Sequence, residues 1–62
     1  MSVGKKIRKA RRLADLTQEE LANKAQITKE TLYKIEKELS DPKWSTVEKI
    51  ATALNISTEV LR

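Results

Sequence analysis

Apolar residues return at helical spacing along almost the whole chain, and nothing in it alternates as a strand would. Val3, Ile7, Ala10 and Ala14 recur at i, i+4, i+7 and i+11, which places them on one narrow stripe of a helix. The spacing predicts a first helix from about Val3 to Ala14, with Lys5, Arg8, Lys9 and Arg12 opposite the stripe and in solvent. Leu21, Ala22 and Ala25 give the buried face of a second helix, and Leu32, Ile35 and Leu39 that of a third. Trp44, Val47, Ile50, Ala51 and Leu54 form the stripe of a fourth, and Val60 and Leu61 lie in a final short turn. With no Phe, and one Gly and one Pro as punctuation, strand signals are missing. The expected fold is all-α, a compact bundle of five short helices forming one domain over residues 1–62, without linker or repeat.

The helix boundaries carry their own chemistry. Thr17-Gln18-Glu19-Glu20 reads as a capping box, in which the Thr17 hydroxyl accepts from the Glu20 N–H and the Glu20 carboxylate reaches back. The helix it opens should end near Lys24. Thr28 is the next cap, with Ile27 placed as a hydrophobic staple onto Leu32. Ser40-Asp41-Pro42-Lys43 interrupts the periodicity, because proline lacks an N–H and pushes the residue before it out of helical geometry. Asn55 suits a left-handed terminator, and Ser57-Thr58-Glu59 caps the last turn.

A chain this short buries only ~60% of the surface its unfolded form exposes, so its core is thin. Cys and His are both absent, which removes disulfides and the usual zinc sites and fits a reducing compartment. No apolar run reaches the length of a membrane span, and Met1-Ser2-Val3-Gly4 leads into charged sequence rather than a signal peptide. These features read as a cytoplasmic protein without metal or cofactor. Charge is unevenly spread: residues 1–31 hold eight Lys/Arg against four Asp/Glu, and residues 32–62 hold five of each. Lys5, Lys6, Arg8, Lys9, Arg11 and Arg12 crowd together without an acid among them. Such a block attracts polyanions, although a solvated helix face has the same composition.

Only Ala25-Gln26-Ile27 separate the second and third helices, so the pair must cross steeply. Ala22 and Ala25 are small where the backbones would approach. Two capped helices joined by a tight turn make a helix-turn-helix unit, whose second helix can enter the DNA major groove. Along the outer side of the third helix, Lys29, Glu30, Tyr33, Lys34 and Lys37 share one arc, away from Leu32, Ile35 and Leu39. Lys can donate to guanine, Glu can accept from cytosine N4, and Tyr can meet a phosphate or a thymine methyl. An ordinary charged surface with Tyr33 half-buried accounts for the same residues.

The series Thr17-Gln18-Glu19-Glu20-Leu21-Ala22, Ile27-Thr28, Leu32, Ile35-Glu36, Pro42 and Ile50-Ala51-x-x-Leu54-x-Ile56-Ser57 resembles the phage repressor/Cro-type (XRE-like) helix-turn-helix family. The resemblance spans nearly the whole chain, and spacing agrees without insertion between Gln18 and Ser57. It implies a lambda-repressor-like DNA-binding domain and a transcriptional regulator, most often a repressor. By the same resemblance, Gln18 and Thr28 match positions that hold DNA phosphates, and Lys43 a backbone-contact region. Lys29, Glu30, Tyr33 and Lys34 match base-reading positions, with Thr31 between them. Lys37, at the end of the exposed arc, is assigned to phosphate. Arg11 and Glu36 match a structural ion pair between the first helix and the end of the third, which makes Arg11 scaffold rather than DNA contact.

Three departures stand out. The family places Gly after the first helix, in the corner, and after the Ile-Glu pair; this chain has Asp15, Gln26 and Glu38 there. A left-handed backbone at Gln26 or Glu38 would cost ~1–2 kcal/mol. Either the turns differ, or the domain is strained. The third helix could also continue through Glu38 to Leu39, which reads as core, while Leu13 is apolar at a position commonly charged.

The expected activity is sequence-specific binding of double-stranded DNA without chemistry. One reading helix offers little specificity, so the expected species is a homodimer on a pseudo-palindromic operator with half-sites ~10 bp apart. The family resemblance puts the dimer contact between Asn55 and Arg62. The alternative is a protein-interaction module, such as an antitoxin or a restriction-system control protein on the same fold. An enzyme is disfavoured: there is no phosphate-cradling Gly loop, and the carboxylates fall on exposed faces.

Overall fold

In a computed structural model, residues 2–62 are described. Met1, where the expected domain and the leader reading begin, lies outside them. Four α-helices, α1 (Val3–Leu13), α2 (Gln18–Ala25), α3 (Lys29–Glu36) and α4 (Trp44–Leu54), are followed by a 3₁₀ turn (Thr58–Leu61). The fifth expected helix is therefore a single 3₁₀ turn, too short to propagate an α-helical hydrogen-bond ladder. Among the described residues there is no strand, and no helix is long and apolar enough to cross a membrane.

Local chemistry starts each helix. The Ser2 hydroxyl accepts from Lys5 N at 3.3 Å, and the Thr28 hydroxyl accepts from Thr31 N at 3.0 Å. At α2 both arms of the capping box form: Glu20 N donates to Thr17 Oγ1 (3.1 Å), and Thr17 N donates to Glu20 Oε1 (2.8 Å). Lys43 caps α4 without a side-chain bond.

All four α-helices are closed by a left-handed residue that is not glycine, with φ between 58° and 62°. Gln26 and Asn55 are the C-caps of α2 and α4, and Asp15 and Glu38 lie one residue beyond those of α1 and α3. At each, the next amide reaches back five residues to a helix carbonyl. Leu16 N bonds Arg11 O (3.1 Å), Ile27 N bonds Ala22 O (3.0 Å), Leu39 N bonds Lys34 O (2.8 Å) and Ile56 N bonds Ala51 O (3.0 Å). This is the Schellman closure, which satisfies carbonyls that the ended helix leaves open. The turns thus keep the geometry that glycine would favour, and the chain carries the strain.

Leu16, Ile27 and Ile56, which follow three of these residues, pack back against the core. Leu39 does not: α3 stops at Glu36, and Leu39 is 68% exposed. The expectation that Leu39 is core is wrong, because the left-handed Glu38 turns the chain away before the stripe of α3 can continue. Ala14 is likewise exposed, beyond the end of the α1 stripe, and Trp44 is only half-buried.

Ile7, Leu21, Leu32, Ile50 and Leu61 are fully buried, one from each of the five elements. Around them α2 packs on α3 and α4, α1 packs on α3, and the 3₁₀ turn closes against α1 and α4. Gly4 is buried where α1 meets the end of α3, and a β-carbon there would overlap the Ile35 carbonyl oxygen.

Candidate nucleic-acid interface

Gln26, Ile27 and Thr28 connect α2 to α3. Ala22 and Ala25 are buried at this corner, where a larger side chain would hold the helices apart. Leu32, Ile35 and Glu36 face inward, so the opposite side of α3 is left to solvent. Lys29, Glu30, Thr31, Tyr33 and Lys34 are all exposed on α3, and Lys37 follows as its C-cap. Thr28 and Lys43 are exposed at the N-caps of α3 and α4.

Several of these side chains already hold partners. Lys34 Nζ lies 3.9 Å from Glu30 Oε1, one helical turn away and well solvated. An exposed pair of this kind contributes only about 0.2–1 kcal/mol, so either partner can exchange it for a base. Lys37 Nζ stands 5.9 Å from the Tyr33 ring centre, at the outer range of a cation–π contact. The Thr28 hydroxyl accepts from Thr31 N and donates to Thr31 Oγ1 at 2.7 Å. Its own proton is thereby occupied, while Thr31 is exposed.

Behind this face lies a buried network. The Arg11 guanidinium grips the Glu36 carboxylate with two parallel bonds, Nε to Oε2 at 2.8 Å and Nη2 to Oε1 at 3.0 Å. Its third bond, Nη1 to the Leu16 carbonyl at 2.9 Å, ties it to the segment before α2. Glu36 is 4% exposed, and it is the only charged residue among the described residues buried to that degree. Gln18, the first residue of α2, donates from Nε2 to Glu36 Oε1 at 3.1 Å. Arg11 and Glu36 therefore meet, and Gln18 joins them, so that α1, α2 and α3 converge on one carboxylate.

Sequence reasoning missed the Gln18–Glu36 bond and the role of Gly4. The Gly4 signal was present: the chain's one glycine lies inside a predicted helix while its turns do without. A glycine so placed is read best as a point of close backbone approach.

A helix-turn-helix family model matches residues 7–61. The chain is 38% identical over 61 residues to the HTH-type transcriptional regulator ImmR of Bacillus subtilis (strain 168), covering 98% of this chain and 48% of that protein. It is also 38% identical over 61 residues to the immunity repressor protein of Bacillus phage phi105, covering 98% and 42%. This chain thus spans about half the length, or less, of the curated relatives it matches. Its fold is similar to the crystal structure of the restriction-modification controller protein C.AhdI from Aeromonas hydrophila. The TM-score is 0.94 at 27% identity, over 97% of this chain and 91% of that one. With the capped α2–α3 corner and a family match across nearly its whole length, the chain belongs to the phage repressor/Cro-type helix-turn-helix family.

Proposed function

We propose that this chain binds double-stranded DNA sequence-specifically, with α3 in the major groove, and acts as a transcriptional regulator, specifically a repressor. The observation that carries the reading is the outer face of α3. Lys29, Glu30, Thr31, Tyr33 and Lys34 are exposed on the second helix of a helix-turn-helix corner whose inner face is locked into the core. These five read base edges, while Gln18, Thr28, Lys37 and Lys43 fix the domain on phosphates. The names of the regulator and repressor relatives agree with this role.

The active species is a homodimer on a pseudo-palindromic operator, working in the cytoplasm without cofactor or catalysis. The deciding experiment is selection of bound duplexes from a random DNA pool at near-physiological salt. An enriched inverted repeat supports a dimeric reader; no enrichment by a folded protein removes the DNA function.

The structural likeness to a restriction-modification controller protein favours one second reading, a control protein within such a system. If the partner were a protein instead of DNA, binding would be far less sensitive to salt. Several phosphate contacts produce a steep affinity loss between ~50 and ~200 mM.

A further inference from the structure

We infer that Glu36 is a positioning residue for DNA binding, acting through the side-chain amide of Gln18. The inference rests on the reading of Gln18 as a phosphate contact and adds what orients it.

The two ends of a glutamine amide are nearly alike in size but opposite in chemistry, one donating and the other accepting. A free glutamine at a helix start can present either end to a phosphate, and only the N–H end attracts it. Glu36 removes the choice. Its carboxylate, gripped by Arg11, is an acceptor with no proton to give. A flipped Gln18 would set its Oε1 against Glu36 Oε1 in a buried place, whereas the observed orientation donates from Nε2 at 3.1 Å. Glu36 Oε1 also accepts from Arg11 Nη2 at 3.0 Å, so it holds two donors at once.

One Nε2–H is committed inward, and the planar amide then fixes the direction of the second. Gln18 is only partly buried, and the inference assigns that second proton to an incoming oxyanion. The carboxylate itself is 2% exposed at its side chain, so it cannot touch DNA and acts only through its neighbour. Arg11, on α1, and Glu36, on α3, in this way set a donor on α2.

Two arms test the inference. In the free protein, nitrogen-15 NMR should show the Gln18 side-chain amide as two well-separated, rigid proton signals, collapsing toward ordinary mobile glutamine values in Glu36→Gln. This arm needs no DNA. Mobile signals in the wild-type protein would overturn the inference whatever the variants do, and the wild-type measurement stands even if Glu36→Gln does not fold.

The second arm measures affinity for a duplex of unselected sequence in wild type, Gln18→Ala, Glu36→Gln and the double variant, with folding checked by thermal melts. Gln18→Ala and Glu36→Gln should each weaken binding about tenfold, the scale of one hydrogen bond to a charged group. The double variant should be no weaker than Gln18→Ala alone. A further tenfold loss in the double variant would show that Glu36 acts by another route and overturn the inference. A rigid amide with Gln18→Ala binding as well as wild type would instead overturn the phosphate reading on which it rests.

Discussion

Gly4 of α1 lies against the backbone of Ile35 in α3 so closely that a β-carbon would overlap the Ile35 carbonyl oxygen. The atom in the way is backbone, not the end of a flexible side chain, so neither helix can yield without shifting its neighbours. Gly4→Ala should therefore destabilise the domain by about 1–3 kcal/mol, the range for overpacking, despite alanine's better helix propensity. Thermal melting of the variant checks this. A melting temperature at or above wild type would mean that α1 can move away from α3 freely.

Gln26 and Glu38 occupy left-handed backbone with φ of 58° and 62°. Their β-carbons crowd the following carbonyl, which glycine avoids. Gln26→Gly and Glu38→Gly should each stabilise by roughly 1 kcal/mol, and the alanine substitutions should not. The readout is a higher urea midpoint at unchanged slope. Equal effects of glycine and alanine would trace the gain to lost side chains rather than released strain.

Arg11 is the counter-ion of Glu36. Arg11→Met would leave a buried carboxylate without its cation and should cost about 3–5 kcal/mol, a large part of what so short a domain holds. The double variant Arg11→Met with Glu36→Leu removes both charges and should recover most of that loss. Urea denaturation of the single and double variants decides the matter: equal stability of the two would mean that unpaired charge is not the cause.

Thr17 holds the Glu20 carboxyl below its ordinary value of 4.5, first through its backbone N–H and then through its hydroxyl. A carboxyl depressed by folding stabilises the folded state fully above its unfolded value, and loses that contribution as pH falls through the folded one. The α2 cap should accordingly weaken on acidification below 4.5. Melts of wild type and Glu20→Gln between about pH 7 and about pH 3 should show the wild-type advantage shrinking toward the acid end. A constant difference would locate the Glu20 contribution elsewhere.

Lys34 stands on the exposed face of α3, with Glu30 as its only ion-pair partner among the described residues. Lys34→Ala should cost ~1–3 kcal/mol on the preferred DNA sequence and relax the preference at one base position. Equal losses on preferred and scrambled duplexes would reassign Lys34 to phosphate.

The helix starts, and the stop at Asn55, were legible because they are local. Thr17, Thr28 and Ser57 each bond an amide two or three residues ahead, and Asn55 closes its helix on carbonyls a few residues behind. Periodicity likewise placed Ile7, Leu21, Leu32 and Ile50 in the core, since one face of each helix must leave water. The polar face of α3 followed as the remainder of that division. Family resemblance, not spacing, paired Arg11 with Glu36.

Other features depended on where separate helices come to rest. Leu39 fits the stripe of α3 by spacing, yet Glu38 takes the left-handed conformation and leaves Leu39 in solvent. No local rule required Gln26 and Glu38 to accept that conformation, yet both adopt it where their helices close. Gly4 matters because α1 and α3 touch, and Gln18 gains an acceptor because Glu36 arrives eighteen residues later from another helix. The elements and the chemistry of each face can be read from residue order alone, because both arise from interactions within a turn or two of chain. Which backbones meet and which polar groups share a buried carboxylate emerge when the helices pack, because those contacts join residues that chain order keeps apart.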